Sequence, residues 1–149
     1  MNRHNTLKGL SQDHQKGLML AQVVKKGSPK FKTLPNDIDR KVEFAKEIWE
    51  SDLKFHFENE EKILFPKFKG RDYEIDLLIN EMLEEHKMIR ALINRLEDEN
   101  NHEDTLNKLG LLLDEHIRKE ERVLFEKLED LFETELNVMV PIDSVKDSS

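Results

Sequence analysis

The sequence predicts an all-α protein, an antiparallel up-down-up-down four-helix bundle, and three observations predict it. Glycine and proline total only nine in 149 residues and punctuate the chain rather than permeate it. Between them lie four segments, each with an apolar stripe that steps by three and four residues, the spacing of one helix face. Apolar residues make up 37 % of the chain, or about 40 % with glycine, below the roughly 45–50 % of an average domain. Such a thin core suits a few long helices that each bury one stripe.

In the first segment the stripe runs Leu7, Leu10, His14, Gly17, Ala21, Val24 and ends at Gly27-Ser28-Pro29. A second segment opens at Pro35-Asn36-Asp37, a good N-cap, with Val42, Ala45, Trp49, Leu53, His56, Glu60, Ile63 as its stripe. Pro66 is expected to kink or end this helix, leaving Lys67-Phe68-Lys69 as an extra turn. Gly70-Arg71-Asp72 starts the third, striped by Ile75, Ile79, Met82, His86, Ile89, Ile93, Leu96. Asp98-Glu99-Asn100-Asn101-His102 separates it from the fourth, which reads Leu106, Leu109, Leu113, His116, Glu120, Val123. Short turns between helices imply antiparallel neighbours, and the alternating seam implies left-handed packing. From Thr134 the periodicity is lost, so residues 1–133 are read as the bundle and 134–149 as a C-terminal tail.

Composition removes several function classes. With 24 basic and 32 acidic residues the net charge is −8, which argues against a phosphate-tracking nucleic-acid binder and a basic membrane-surface helix. The chain has no cysteine, so disulfides, sulfur-ligated metals and thiol catalysis are excluded. No apolar run approaches the ~20 residues that span a bilayer, and no signal-peptide core follows Met1-Asn2-Arg3-His4-Asn5, so a cytoplasmic protein is expected.

The polar residues that interrupt the stripes carry the chemistry. They are His14, His56, Glu60, His86, His116 and Glu120. An unpartnered imidazole or carboxylate in a core costs several kcal/mol, so six of them call for one common cause. Heights along the bundle supply it. His56 lies 14 residues before Gly70 and His86 lies 16 after it, a difference of roughly 3 Å at the helical rise. His86 is 13 residues before Glu99 and His116 is 14 after His102, so three helices bring their histidines level. His14 fits less cleanly: it is 13 residues before Gly27, whereas His56 is 20 after Asn36, and the intervening stretch must absorb the offset.

His56 and Glu60, like His116 and Glu120, are four apart and so share a helix face. Their surroundings repeat at an offset of 60, with His56 to Phe68 matching His116 to Leu128 at six of 13 positions. A fainter echo relates Gln12-Asp13-His14 to Glu84-Glu85-His86. The chain thus reads as two helical hairpins whose pairing builds a pseudo-twofold site of four imidazoles and two carboxylates. That donor set suits a borderline transition metal rather than calcium or magnesium. It exceeds the needs of one tetrahedral zinc, and two bridging glutamates would join two ions. Iron is the natural candidate, with manganese or zinc as substitutes, and a bridging oxide or hydroxide would offset residual charge.

Taken singly, some of these residues suit ordinary structural roles. His14 alone would as readily be a hydrogen-bonded core histidine. Two His–Glu ion pairs facing each other would be a poor stabilising device. His4 and His102 fall in the terminus and a turn, Glu58, Glu61, Glu121 and Lys62 read as solvent-face or supporting residues, and Arg90 reads as exposed. A ferritin-like site would need Glu-x-x-His on helices, and the only instance, Glu99-x-x-His102, lies in a turn.

Across about residues 7 to 130 the pattern resembles the hemerythrin-like family of HHE cation-binding domains. The resemblance is carried by His14, His56-x-x-x-Glu60, His86, His116-x-x-x-Glu120 and the Glu-Glu-x-x-Leu-Phe run after both second histidines. It implies a four-helix bundle around a non-haem di-iron centre held by those six residues. Oxygen-carrying members have a further histidine four residues after that of the third helix, where this chain has Arg90. They also tend to have an aspartate five residues after that of the fourth, where this chain has Glu121 beside the better-placed Glu120. The more symmetric set is unlike that suited to reversible oxygen carriage. It looks more like that of bacterial di-iron proteins of iron–sulfur repair and nitric oxide response and of iron-sensing domains. Binding or sensing of O2, NO or peroxide is expected rather than dedicated enzymatic turnover. The alternative is iron storage or donation, or iron–sulfur cluster repair under oxidative or nitrosative stress, although the repair proteins usually carry a cysteine that this chain lacks. A reading from another class is a metal-free helical interaction module with an acidic surface.

Overall fold

The computed structural model describes residues 3–27, 35–98 and 100–142. It is all-helical, with no strand among the described residues. Helix α1 spans Asn5–Val24. The second run is continuous from α2, Ile38–Ile48, through a π turn at Trp49–Leu53, α3 at Lys54–Asn59, a second π turn at Glu60–Leu64, and α4 at Phe65–Phe68. Helix α5 spans Tyr73–Arg95. The last long run is α6, His102–Lys119, a third π turn at Glu120–Leu124, and α7, Phe125–Leu131, followed by the short α8, Glu133–Val138. No described helix is long and apolar enough to cross a membrane.

Local chemistry sets the ends of these helices. The Asp37 side chain accepts the backbone N–H of Arg40 at the start of α2, and Asp72 accepts that of Ile75 at the start of α5. Gly70 takes a φ of +84° in the tight turn before α5, a conformation that a Cβ disfavours. Pro66 does not break the second run, which stays helical to Phe68 before Lys69 turns extended. Ser28, Pro29 and Glu99, expected at segment boundaries, lie outside the described residues.

The helices pack into a bundle, with α1 against α6 and α5 against α6. Arg3 reaches Glu129 while Lys26 reaches Asp104, so α1 and the last run pass in opposite senses. Lys119 reaches Glu81 and Glu85 while Lys127 reaches Glu74, which sets α5 against the last run in the same way. Gly110 permits the close approach of α6 to α1, since a Cβ there would lie 3.0 Å from the Ala21 carbonyl oxygen.

The apolar core is in two parts. One contains Leu20, Trp49, Leu53, Phe57, Ile89 and Leu113 among others. The second contains Leu7, Leu10, Leu64, Phe68, Met82 and Phe125. Leu136 and Ile142 join the second part, the Thr6 hydroxyl donates to the Leu136 carbonyl at 2.6 Å, and the Ile142 N–H donates to the Thr6 carbonyl at 3.0 Å. The segment after Thr134 therefore closes one end of the bundle as far as Ile142, and residues 143–149 lie outside the described part.

Two stripe positions differ from expectation. Ile63 and Val123 are 47 % and 37 % exposed, and Leu64 and Leu124 are buried in their place. The cause is the π turn that begins at each preceding glutamate: Phe65 N–H bonds to the Glu60 carbonyl, and Phe125 N–H to that of Glu120, in i→i+5 fashion. A widened turn carries the inward direction one residue further along the chain.

Candidate metal centre

Between the two apolar clusters lies a polar layer made of His14 from α1, His56 from α3, Glu60 at the second π turn, His86 from α5, His116 from α6 and Glu120 at the third π turn. All six are buried, at most 3 % exposed. Their positions follow from the repeat: each His–Glu pair closes the last α-helical turn before a π turn, so both side chains point to the bundle axis. The structure brings all six sequence-predicted residues together.

Ligand-capable atoms group in two sets whose members lie within 4.8 Å of one another. One set is His14, His56, Glu60 and Glu120, and the other is Glu60, His86, His116 and Glu120. Both carboxylates belong to both sets, and each hairpin supplies its two histidines to one of them. Glu60 Oε1 is 3.4 Å from His56 Nε2 and 3.2 Å from His86 Nε2. Glu120 Oε1 is 2.8 Å from His14 Nε2 and 3.5 Å from His56 Nε2, and its Oε2 is 4.0 Å from His116 Nε2. His56 Nε2, His86 Nε2, His116 Nε2, both Glu60 oxygens and Glu120 Oε2 are buried without a hydrogen-bond partner among the described residues. Inward-facing nitrogen and oxygen donors left unsatisfied at this burial are what a cation would satisfy. The residues fit a metal.

Each of the four histidines of the layer is held from behind by a carboxylate. The Nδ1–H of His14 donates to Glu121 at 2.7 Å, that of His56 to Asp13 at 3.1 Å, that of His86 to Glu61 at 2.7 Å and that of His116 to Glu85 at 2.7 Å. A carboxylate can only accept, so each bond holds a proton on Nδ1 and aims Nε2 inward. The arrangement obeys the pseudo-twofold: Glu61 and Glu121 follow the two inward glutamates, and Asp13 and Glu85 precede the two first histidines of the hairpins. Asp13 and Glu85 were not singled out in the sequence, although the acid-before-histidine echo of the two hairpins is their signal. Arg90, which read as exposed, is half-buried and grips both Glu61 oxygens, at 2.8 and 3.0 Å. His4 and His102 take no part; the first caps α1 and the second bonds to the Asp98 carbonyl.

Electrostatics in the layer are strained toward cation binding. Burial, reinforced by the charge of Glu120, pushes the Glu60 carboxyl well above its usual range. Burial also works to raise Glu120, but the nearby Glu60, the hydrogen bond from His14 and the nearby His56 hold it well below that range. Burial acts to lower His14, yet its bonds to Glu120 and Glu121 prevail and raise it to about 9. His86 is lowered to about 4 by burial, with the nearby His116 adding to the effect. Burial opposes ionisation of Glu61, but His86 and Arg90 hold it at about 2.

Aromatic rings wall the layer. Phe57 lies flat on His86 with centroids 3.8 Å apart, and Phe125 stacks on His14 at 5.7 Å. These rings keep bulk water from the imidazoles on both sides.

The family model described as Hemerythrin HHE cation binding domain matches residues 5–128, which takes in all six inward residues. No curated protein and no solved structure matches the chain.

Proposed function

The chain belongs to the hemerythrin HHE cation-binding domain family, and from that premise we propose that it binds two iron ions and meets a small ligand there, O2, NO or peroxide. His14, His56, His86 and His116 would each supply Nε2, and Glu60 and Glu120 would bridge. The observation that carries this reading is the sharing of both glutamates by two four-membered sets of inward donors. An up-down-up-down antiparallel four-helix bundle is the architecture assigned to the four runs, in keeping with the opposed senses of neighbouring helices.

Iron, when bound, supplies redox chemistry and coordination positions beyond those the six side chains fill. The protein's own part is to bind, orient and shield. Asp13, Glu61, Glu85 and Glu121 hold the imidazoles in one tautomer and rotamer, so little reorganisation accompanies loading. Arg90 is committed to Glu61 and stands over Phe57, 5.7 Å from its ring centre, so it adds no donor to the layer. Phe57 and Phe125, stacked on His86 and His14, crowd the layer, which favours small ligands.

Anaerobic reconstitution with ferrous iron tests the proposal. About two iron per chain are expected for a bridged pair, with a change in the visible spectrum on adding O2 or NO. A stoichiometry of two with a silent spectrum would leave the metal site and overturn the ligand role.

A further inference from the structure

The four outer carboxylates are unequally neutralised. Glu61 is gripped by Arg90 at 2.8 and 3.0 Å, Glu121 accepts from Arg3 at 2.9 Å, and Glu85 accepts from Lys119 at 3.1 Å. Asp13, which accepts from His56 at 3.1 Å, meets no cation among the described residues. Two of these cations also serve further acids, Arg3 with Glu129 and Lys119 with Glu81. Even so, the His86–His116 half has one cation for each outer carboxylate, whereas the His14–His56 half has one for two. At the repeat offset of 60, the counterpart of Lys119 is the uncharged Asn59.

We propose that Asp13 makes the two metal positions unequal, so that the first divalent ion enters the position bounded by His14 and His56 and the second that bounded by His86 and His116. This rests on the dinuclear reading above. A carboxylate accepting Nδ1–H raises the basicity of the opposite ring nitrogen, and it does so most when no cation competes for its charge. Asp13 is only 10 % exposed at its side chain, so solvent and salt screen its attraction for a dication weakly. Asp13 is thus a positioning residue that acts through His56.

Titration of the metal-free full chain with cobalt(II), followed by calorimetry and by paramagnetic broadening of amide signals, tests this. The first equivalent should broaden signals of α1 and α3 around His14 and His56, and the second those of α5 and α6 around His86 and His116. Asp13→Asn should weaken the first step about 10- to 100-fold, the usual effect of losing such a partner, and Asp13→Glu should restore it. Asn59→Lys should weaken the same step while leaving Asp13 in place, and Glu85→Gln should weaken only the second. Equal filling of both halves by the first equivalent, filling of α5 and α6 first, or an equal loss in both steps on Asp13→Asn would overturn the proposal. Binding of no more than one ion per chain would overturn the dinuclear reading itself, a separate and recognisable failure. Unaltered melting of metal-free Asp13→Asn is expected; if that variant unfolds, Asn59→Lys decides.

Discussion

Carboxylate oxygens of Glu60 and Glu120 lie within 4.8 Å of each other at the centre of the bundle, although the two side chains belong to different hairpins. Burial and mutual repulsion disfavour two charges so close together, which favours a retained proton on Glu60. A cation must displace that proton, and it must also displace the one on His14, which is held up to about 9. Metal uptake at pH 7 should therefore release protons, His14 being the surest source, measured with an indicator dye in weak buffer. Uptake with no proton release would contradict this protonation pattern.

The metal-free protein should lose stability as pH rises. His14 has a folded pKa above its unfolded value, so its contribution is fully present below 6.5 and disappears as pH climbs through about 9. Glu60, also raised, acts in the same direction from the ordinary carboxylate range upward. The melting temperature of chelator-treated protein should fall between pH 6.5 and 9, and that of loaded protein should not.

Metal should stabilise the fold by mass action. At a hundredfold excess over Kd the gain is about 2.7 kcal/mol, or roughly 5–10 °C for a chain of this size. His56→Ala should close the gap between melting curves taken with metal and with chelator. No gap in either protein, with melting unchanged by the substitution, would favour a metal-free interaction module.

Paired substitution of Glu60 and Glu120 by methionine should abolish metal uptake and leave the apo fold as stable or more stable, by about 1–4 kcal/mol. Buried charged groups usually cost more in desolvation than they return. Denaturant unfolding of the chelator-treated variant measures this; strong destabilisation would mean that the carboxylates hold the fold together without metal.

The π turns make a prediction opposite to that of straight helices. Leu64→Ala and Leu124→Ala should each cost about 2–5 kcal/mol, as large-to-small changes in a tight core do. Ile63→Asp and Val123→Asp should each cost about 0.5 kcal/mol or less, since both residues face solvent. Urea unfolding midpoints of the four variants distinguish the two registers.

Helical segments and inward residues were legible in the sequence because both depend on local spacing. Ile75, Ile79, Met82, His86, Ile89, Ile93 and Leu96 all prove buried, as one unbroken α-helical face requires. The six polar residues stood out because a histidine or glutamate on such a face violates its apolar pattern. Ile63 and Val123 failed because a wide turn with i→i+5 bonds leaves no mark in the hydrophobic period.

By itself the sequence determined that the chain is helical, that its core is thin, and which six side chains the helices turn inward. Only the tertiary structure decided which outer acid stands behind which histidine. Glu121 reaches His14 from 107 residues away and Asp13 reaches His56 from 43, and in sequence both look like members of an abundant surface charge. An acid on the flank of a helix meets a partner's imidazole only when packing sets the rotation and level of both helices, and those depend on the whole core.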